Sequence, residues 1–140
     1  MDISRGFQIE YPRVFIPWKI SEAELLQVLD GHPSRLVTHG YITTHCISLD
    51  GLPHELGFHF HPREGGTLIE FEFFRTSYTD HTGSFQEFQQ HLETKFGQPT
   101  NTSLGSVGFP SHSWCLPGAE VVHYVYDRFG PEEHVRIKKR

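Results

Sequence analysis

At 140 residues the chain is the size of one domain and can bury about two thirds of its unfolded surface, so it needs no metal or disulfide to hold a core. The 36% apolar share is lean, but twelve Phe, five Tyr and two Trp restore it, because each aromatic ring buries roughly 150–250 Å². No stretch approaches the roughly 18 apolar residues of a spanning helix, and a net charge of −5 disfavours a phosphate-backbone partner.

The first ten residues lack the apolar segment of a secretory leader. Together with only two cysteines, Cys46 and Cys115, read as buried free thiols, this points to a reducing cytoplasm. Residues 1–12 are expected to be loosely ordered. Arg13–Ile20 is a short extended segment that Pro17 confines to an edge or bulge. Ser21 and Glu24 have capping-box spacing, with Ile20 and Leu25 placed as a hydrophobic staple. The helix they open has Leu25, Leu26 and Leu29 as its apolar face, and Gly31 and Pro33 stop it.

Tyr41–Leu49, Leu56–His61 and Leu68–Phe74 then read as three strands of a meander, the last two joined by turn residues 62–67 with Gly65-Gly66 at the bend. Period-two alternation puts Phe58, Phe60, Ile69, Phe71 and Phe73 on a buried face and His59, His61, Glu70, Glu72 and Phe74 on the other. Gly83-Ser84 opens a second helix, with Ser84 and Glu87 at capping-box spacing, and Phe85, Phe88, Leu92 and Phe96 form its core stripe. After Gly97 and Pro99, residues 100–111 are a long loop. Strands follow at Ser113–Leu116, Ala119–Asp127 and Glu133–Lys138. The expected architecture is a single α+β domain of two layers, a mainly antiparallel sheet with two helices on one face, in the order β-α-β-β-β-α-β-β-β.

Eleven histidines are the oddest feature of the composition. His59 and His61 share a strand face with Glu70 or Glu72 across the hairpin, which could hold a divalent metal or could form cross-strand His–Glu pairs. No nucleophile elbow, phosphate loop or zincin helix is present, and His45 and Cys46, as strand neighbours, point to opposite faces. Tyr124, Tyr126 and Val122 share one face of a strand whose other face carries Val121, His123 and Val125, and Trp18 and Trp114 are core or half-buried edge residues. If the helices cover one face of the sheet, the other offers aromatic surface to a partner.

Arg136, Lys138, Lys139 and Arg140 supply four of the twelve basic residues, leaving eight against seventeen acidic in residues 1–135, a net of −9 that would steer a basic protein toward the body. The basic end itself reads as a last strand whose lysines protect a sheet edge.

The second half runs Phe85, Leu92-Glu93, Phe96-Gly97-Gln98-Pro99, a loop, Trp114, Val121-Val122-His123 and Asp127-Arg128-Phe129-Gly130-Pro131-Glu132-Glu133. In this layout, over roughly residues 84–137, it resembles the small cytosolic immunity proteins encoded beside bacterial polymorphic toxins. The resemblance implies an acidic α+β binding protein without catalytic residues or cofactor, which neutralises a cognate toxin by covering it. The expected binding residues are Glu70, Glu72, Phe74, Trp114, Tyr124 and Tyr126, on a monomer or homodimer that engages neither nucleic acid nor membrane. The alternative is a metal-dependent enzyme or metal-binding protein using His59 and His61 with Glu70 or Glu72.

Overall fold

The computed structural model describes residues 2–63, 66–75 and 79–140. Glu64 and Gly65, part of the expected bend, lie outside the described residues. The elements are β1 (Gly6–Ile9), β2 (Val14–Pro17), α1 (Glu22–Val28), β3 (Ser34–Thr38), β4 (Tyr41–Ser48), β5 (Leu52–Phe60), β6 (Leu68–Phe74), α2 (His81–Phe96), β7 (Asn101–Leu104), β8 (Pro110–Leu116), β9 (Ala119–Asp127) and β10 (Pro131–Lys139). The class is α+β, with an antiparallel eight-stranded sheet in the order β3-β4-β5-β6-β10-β9-β8-β7 and a separate β1-β2 pair.

Three strands go beyond the expected order: β1, β3 and β7. Every residue of β3 and β7 is exposed, so neither carries the apolar alternation that marks a strand in sequence. They form the two edges of the sheet. β7 also takes up part of the segment read as a long loop, and β8 begins inside it.

The amino-terminal segment is the clearest correction. Rather than lying loose, it buries Ile3, Phe7 and Ile9 in the core. The Phe7 ring meets Phe71 at 5.4 Å and Phe73 at 5.2 Å, and Trp18 meets Phe71 at 4.9 Å. Glu10 accepts hydrogen bonds from the amides of Asp50 (2.7 Å) and Gly51 (2.8 Å), holding the turn between β4 and β5. β1 can approach β2 this closely because Gly6 sits opposite Pro17. A Cβ at residue 6 would fall 2.1 Å from the Ile16 carbonyl oxygen.

α1 begins as expected: the Ser21 hydroxyl accepts from the Glu24 amide at 3.2 Å and Glu24 accepts from the Ser21 amide at 3.1 Å. Leu25 and Leu29 are buried, whereas Leu26 is 50% exposed and leaves the apolar face. α2 starts earlier than expected. Its N-cap is Asp80, which accepts from the Gly83 amide at 3.0 Å. Ser84 is therefore inside the helix and buried, and its hydroxyl donates to Glu133 (2.6 Å), while Glu87 pairs with Arg75. Phe85, Phe88 and Leu92 face inward as the spacing predicts.

One apolar cluster unites β1, β2, α1 and α2 with the inner residues of the sheet: Ile42, Leu56, Phe58, Phe71, Phe73, Trp114, Val121, Val135 and Ile137. β10 lies at the centre of that sheet, between β6 and β9, so its basic residues do not protect an edge. Val135 and Ile137 are wholly buried and pair with Phe73 and Phe71, which places the carboxy-terminal strand in the core. Cys46 is buried, but Cys115 is exposed because Trp114, its neighbour on β8, takes the inward position. Among the described residues no helix is long and apolar enough to cross a membrane.

Candidate functional site

Strand parity divides the large sheet into an inner face, under the helices and the β1-β2 pair, and an outer face. The register carries the outer face across six strands. Tyr41 pairs with His59, and His59 with Glu70. Gly57 pairs with Glu72, Glu72 with Arg136, and Arg136 with Val122. His134 pairs with Tyr124, Glu132 with Tyr126, and Val122 with Ser113. Glu70, Glu72, Phe74, Tyr124 and Tyr126, five of the expected binding residues, thus lie on one surface.

Trp114 does not join them. It is buried on the inner face, and its indole N–H donates to the Gly97 carbonyl at 2.8 Å, closing the end of α2 against β8. Its strand neighbours are polar, so composition alone could not say which face a lone Trp would take.

Arg136 organises the middle of the outer face. Its Nη1 donates to Glu70 Oε2 at 2.5 Å and its Nη2 to Glu72 Oε2 at 3.3 Å. Nη2 also lies 3.3 Å from His134 Nδ1, which accepts. His59 Nε2 donates to Glu72 Oε1 at 2.8 Å and stands 3.8 Å from Glu70 Oε2. Burial favours the neutral Glu72 carboxyl, but the His59 hydrogen bond and the Arg136 charge overcome it and hold the group below its ordinary value. Burial, and then Arg136, hold His134 below its usual range, so this imidazole is neutral and free to accept. The Arg136 guanidinium is half-buried, which disfavours its charge, yet Glu72 and Glu70 outweigh that and raise it.

Two aromatic stacks flank this ion network. The Tyr41 ring lies 4.3 Å from His59 with an 11° interplanar angle, and Tyr124 lies 5.0 Å from His134 at 12°. Tyr41 can lie flat because Gly57 is beneath it: a Cβ there would sit 2.7 Å from Tyr41 Cε1. Burial and the nearby Glu72 push the Tyr41 phenol up to about 12. On the β3 side of the same face, Arg35, Tyr41, Thr43, His45, Glu55 and Phe74 line a cavity of about 470 Å³. Tyr41, Gly57, His134 and Arg136 were not among the expected site residues. The parity of Tyr41 with His59 and of Arg136 with Glu72 was the available signal, but it needed the strand order.

His61 follows the last residue of β5, and its Nδ1 accepts from the Arg63 amide at 3.0 Å. Among the described residues no group of three His, Cys, Asp or Glu side chains is arranged to hold a metal ion. Between Glu70 and Glu72 the Arg136 guanidinium already supplies the cation.

Two polar clusters lie on the inner face. His54 donates from Nδ1 to the Glu55 carbonyl (2.9 Å), and its Nε2 accepts from Ser48. Cys46 Sγ is 3.9 Å from that Nε2, but burial pushes the thiol up to about 12, the opposite of an activated nucleophile. His123, wholly buried, contacts Glu133 and Gln89 at 2.7 Å each. Ser84 donates to that same Glu133, so the carboxylate lies between hydroxyl and imidazole and His123 does not reach the hydroxyl.

No family model matches the sequence, and a comparison with curated proteins found no match. Among solved structures, the crystal structure of YjgB, a DUF4309 family protein from Bacillus subtilis subsp. subtilis str. 168, is similar with a TM-score of 0.50. The two share 14% identity over 86% of this chain and 78% of that one, which makes the likeness one of fold.

Proposed function

We propose that this is an immunity-type binding protein whose outer sheet face docks on a protein partner, a cognate bacterial toxin, and occludes its working surface. The observation that carries this reading is the one-sided cover of the eight-stranded sheet. The helices and the β1-β2 pair contribute to one cluster on the inner face. The outer face holds half-buried Glu70, Glu72, Arg136 and Tyr124 in an ordered network, with Tyr126 52% exposed at its margin. Eight strands about 4.8 Å apart span roughly 34 Å, and with about 20 Å of strand length they offer about 700 Å², near the ~800 Å² a partner gives to a standard interface. Ring faces held by stacking lose little entropy on contact, and the carboxylates set orientation and encounter rate.

The test is co-expression with the toxin-like product of a neighbouring gene, followed by sizing of the pair. The expected result is protection of the host and a stable complex. Tyr126→Glu, at an exposed position, should leave the fold intact and abolish protection. A chain that protects against no neighbouring product, or a Tyr126→Glu variant that protects fully, sinks the reading.

A further inference from the structure

The inner face is not evenly filled. Between α2 and the β7-β8 hairpin runs a groove of about 860 Å³, within the size range of small-molecule sites. It lies on the side of the sheet away from Glu70, Glu72 and Tyr124, and the proposed partner surface does not use it.

Its floor is aromatic. Phe85 stacks on His123 at 3.9 Å with a 19° interplanar angle, Phe109 lies 5.1 Å from Phe85, and His112 lies 6.1 Å from it. The wall along α2 is neutral amide, from Gln86, Gln89 and Gln90. The one carboxylate of the lining, Glu93, is already satisfied, accepting from Gln89 Nε2 at 2.9 Å and Gln98 Nε2 at 2.7 Å. Among the described residues no Lys or Arg lines the groove. His112 is neutral as well, since burial and the nearby His123 lower its proton affinity. Such a surface offers ring faces and donor–acceptor amides, nothing to balance a ligand anion, and for a cation only a carboxylate whose oxygens already accept two amide hydrogen bonds.

The lip of the groove carries a second, independent observation. Ser106–Phe109 closes a tight turn, with the Phe109 amide bonded to the Ser106 carbonyl at 3.1 Å. Both central residues have positive φ, 50° at Val107 and 81° at Gly108. Asn-Gly is the favoured pair for such a turn, and a β-branched residue is among the worst at its first position. Val107 gains no burial in return, being 50% exposed. An isopropyl group held against its backbone preference at the rim of a groove has its use in what the groove receives.

We propose that this groove binds a small uncharged molecule with a planar aromatic ring, seated on Phe85, Phe109 and His112, clasped by Val107 and hydrogen-bonded to the Gln86 and Gln90 amides of α2. The test titrates ¹⁵N-labelled full-length protein with indole and benzamide, and in parallel with benzoate and benzylamine. The neutral probes should shift the amide signals of Gly108, His112 and residues 86–94 saturably, and the charged ones should not. Val107→Asn restores the preferred turn pair, so it should melt at the same or a higher temperature while binding the neutral probes about tenfold more weakly, the loss expected for one aliphatic contact. Tyr126→Glu, on the other face, should bind them unchanged, which separates this site from the proposed partner surface. The proposal is overturned by an absence of saturable shifts, by equal binding of charged and neutral rings, or by undiminished binding in Val107→Asn. It also fails if sizing at rising concentration shows a second copy of the chain seated on these residues.

Discussion

His54 and His123 show what burial does to a titratable residue when a whole sheet face closes over it. His54 is hydrogen-bonded at both ring nitrogens, and His123 lies between two acceptors, Gln89 Oε1 and Glu133 Oε2, of which a neutral ring donates to one. For each the largest influence is loss of water, which favours the neutral ring. For His54 this lowers the folded-state value from 6.5 to about 4. Between those values the unfolded chain takes up a proton that the folded chain refuses, so stability is full above about pH 6.5 and falls as the solution is acidified. The slope is about 1.4 kcal/mol per pH unit, reaching about 3 kcal/mol near pH 4. Urea unfolding at pH 7 and pH 5 should show this loss, and His54→Gln should flatten it. An equal loss in both proteins would rule His54 out as the cause. Alternation in sequence marked His59 as a surface group and set His123 on the strand face opposite Tyr124 and Tyr126, without telling which of those faces is inward. It could not show that His54, beside Pro53, is buried, because the run read as a strand began only at Leu56.

At the scale of elements, the capping box of α1 is a local device and was legible in full. The start of α2 was not, because two cap signals compete there. Asp80 takes the N-cap position, and Ser84 is withdrawn into the interior by Glu133, a partner 49 residues away. β1 is a similar case: four residues that pair only with β2 have meaning once Phe71 and Phe73 lie opposite. Burying Ile3, Phe7 and Ile9 contributes about 5–9 kcal/mol at ~1.5–3 kcal/mol each, on the scale of a whole domain's stability of about 5–15 kcal/mol. A chain lacking residues 1–12 should therefore show no cooperative unfolding transition by circular dichroism or urea titration. Retention of a sharp transition would mean that this segment is only a cover.

For the molecule as a whole, the decisive fact is the position of β10. The last strand in sequence joins the two halves of the sheet, pairing with β6 on one side and β9 on the other. It also brings Arg136 between Glu70 and Glu72, so basic residues that look like a tail in sequence neutralise the centre of the acidic face. Removing Pro131–Arg140 should leave two separate four- and three-stranded pieces, each with an exposed apolar edge, and the product should be insoluble or unfolded on expression. A soluble, folded truncation would contradict the central placement.

The sequence by itself determined the class of the fold, seven of the strands, both helices, the outward parity of Glu70, Glu72 and Phe74, and the shared face of Tyr124 and Tyr126 on their own strand. Those features follow from period-two and period-3.6 patterning and from caps, all of which act within a few residues. Tertiary structure alone decided the strand order, the burial of the amino terminus, the inward turn of Trp114, and the joining of His59, Arg136 and Tyr41 into one network. These depend on pairings between distant segments, such as Arg136 with Glu70, 66 residues apart, and local patterning carries no record of which strand will lie beside which.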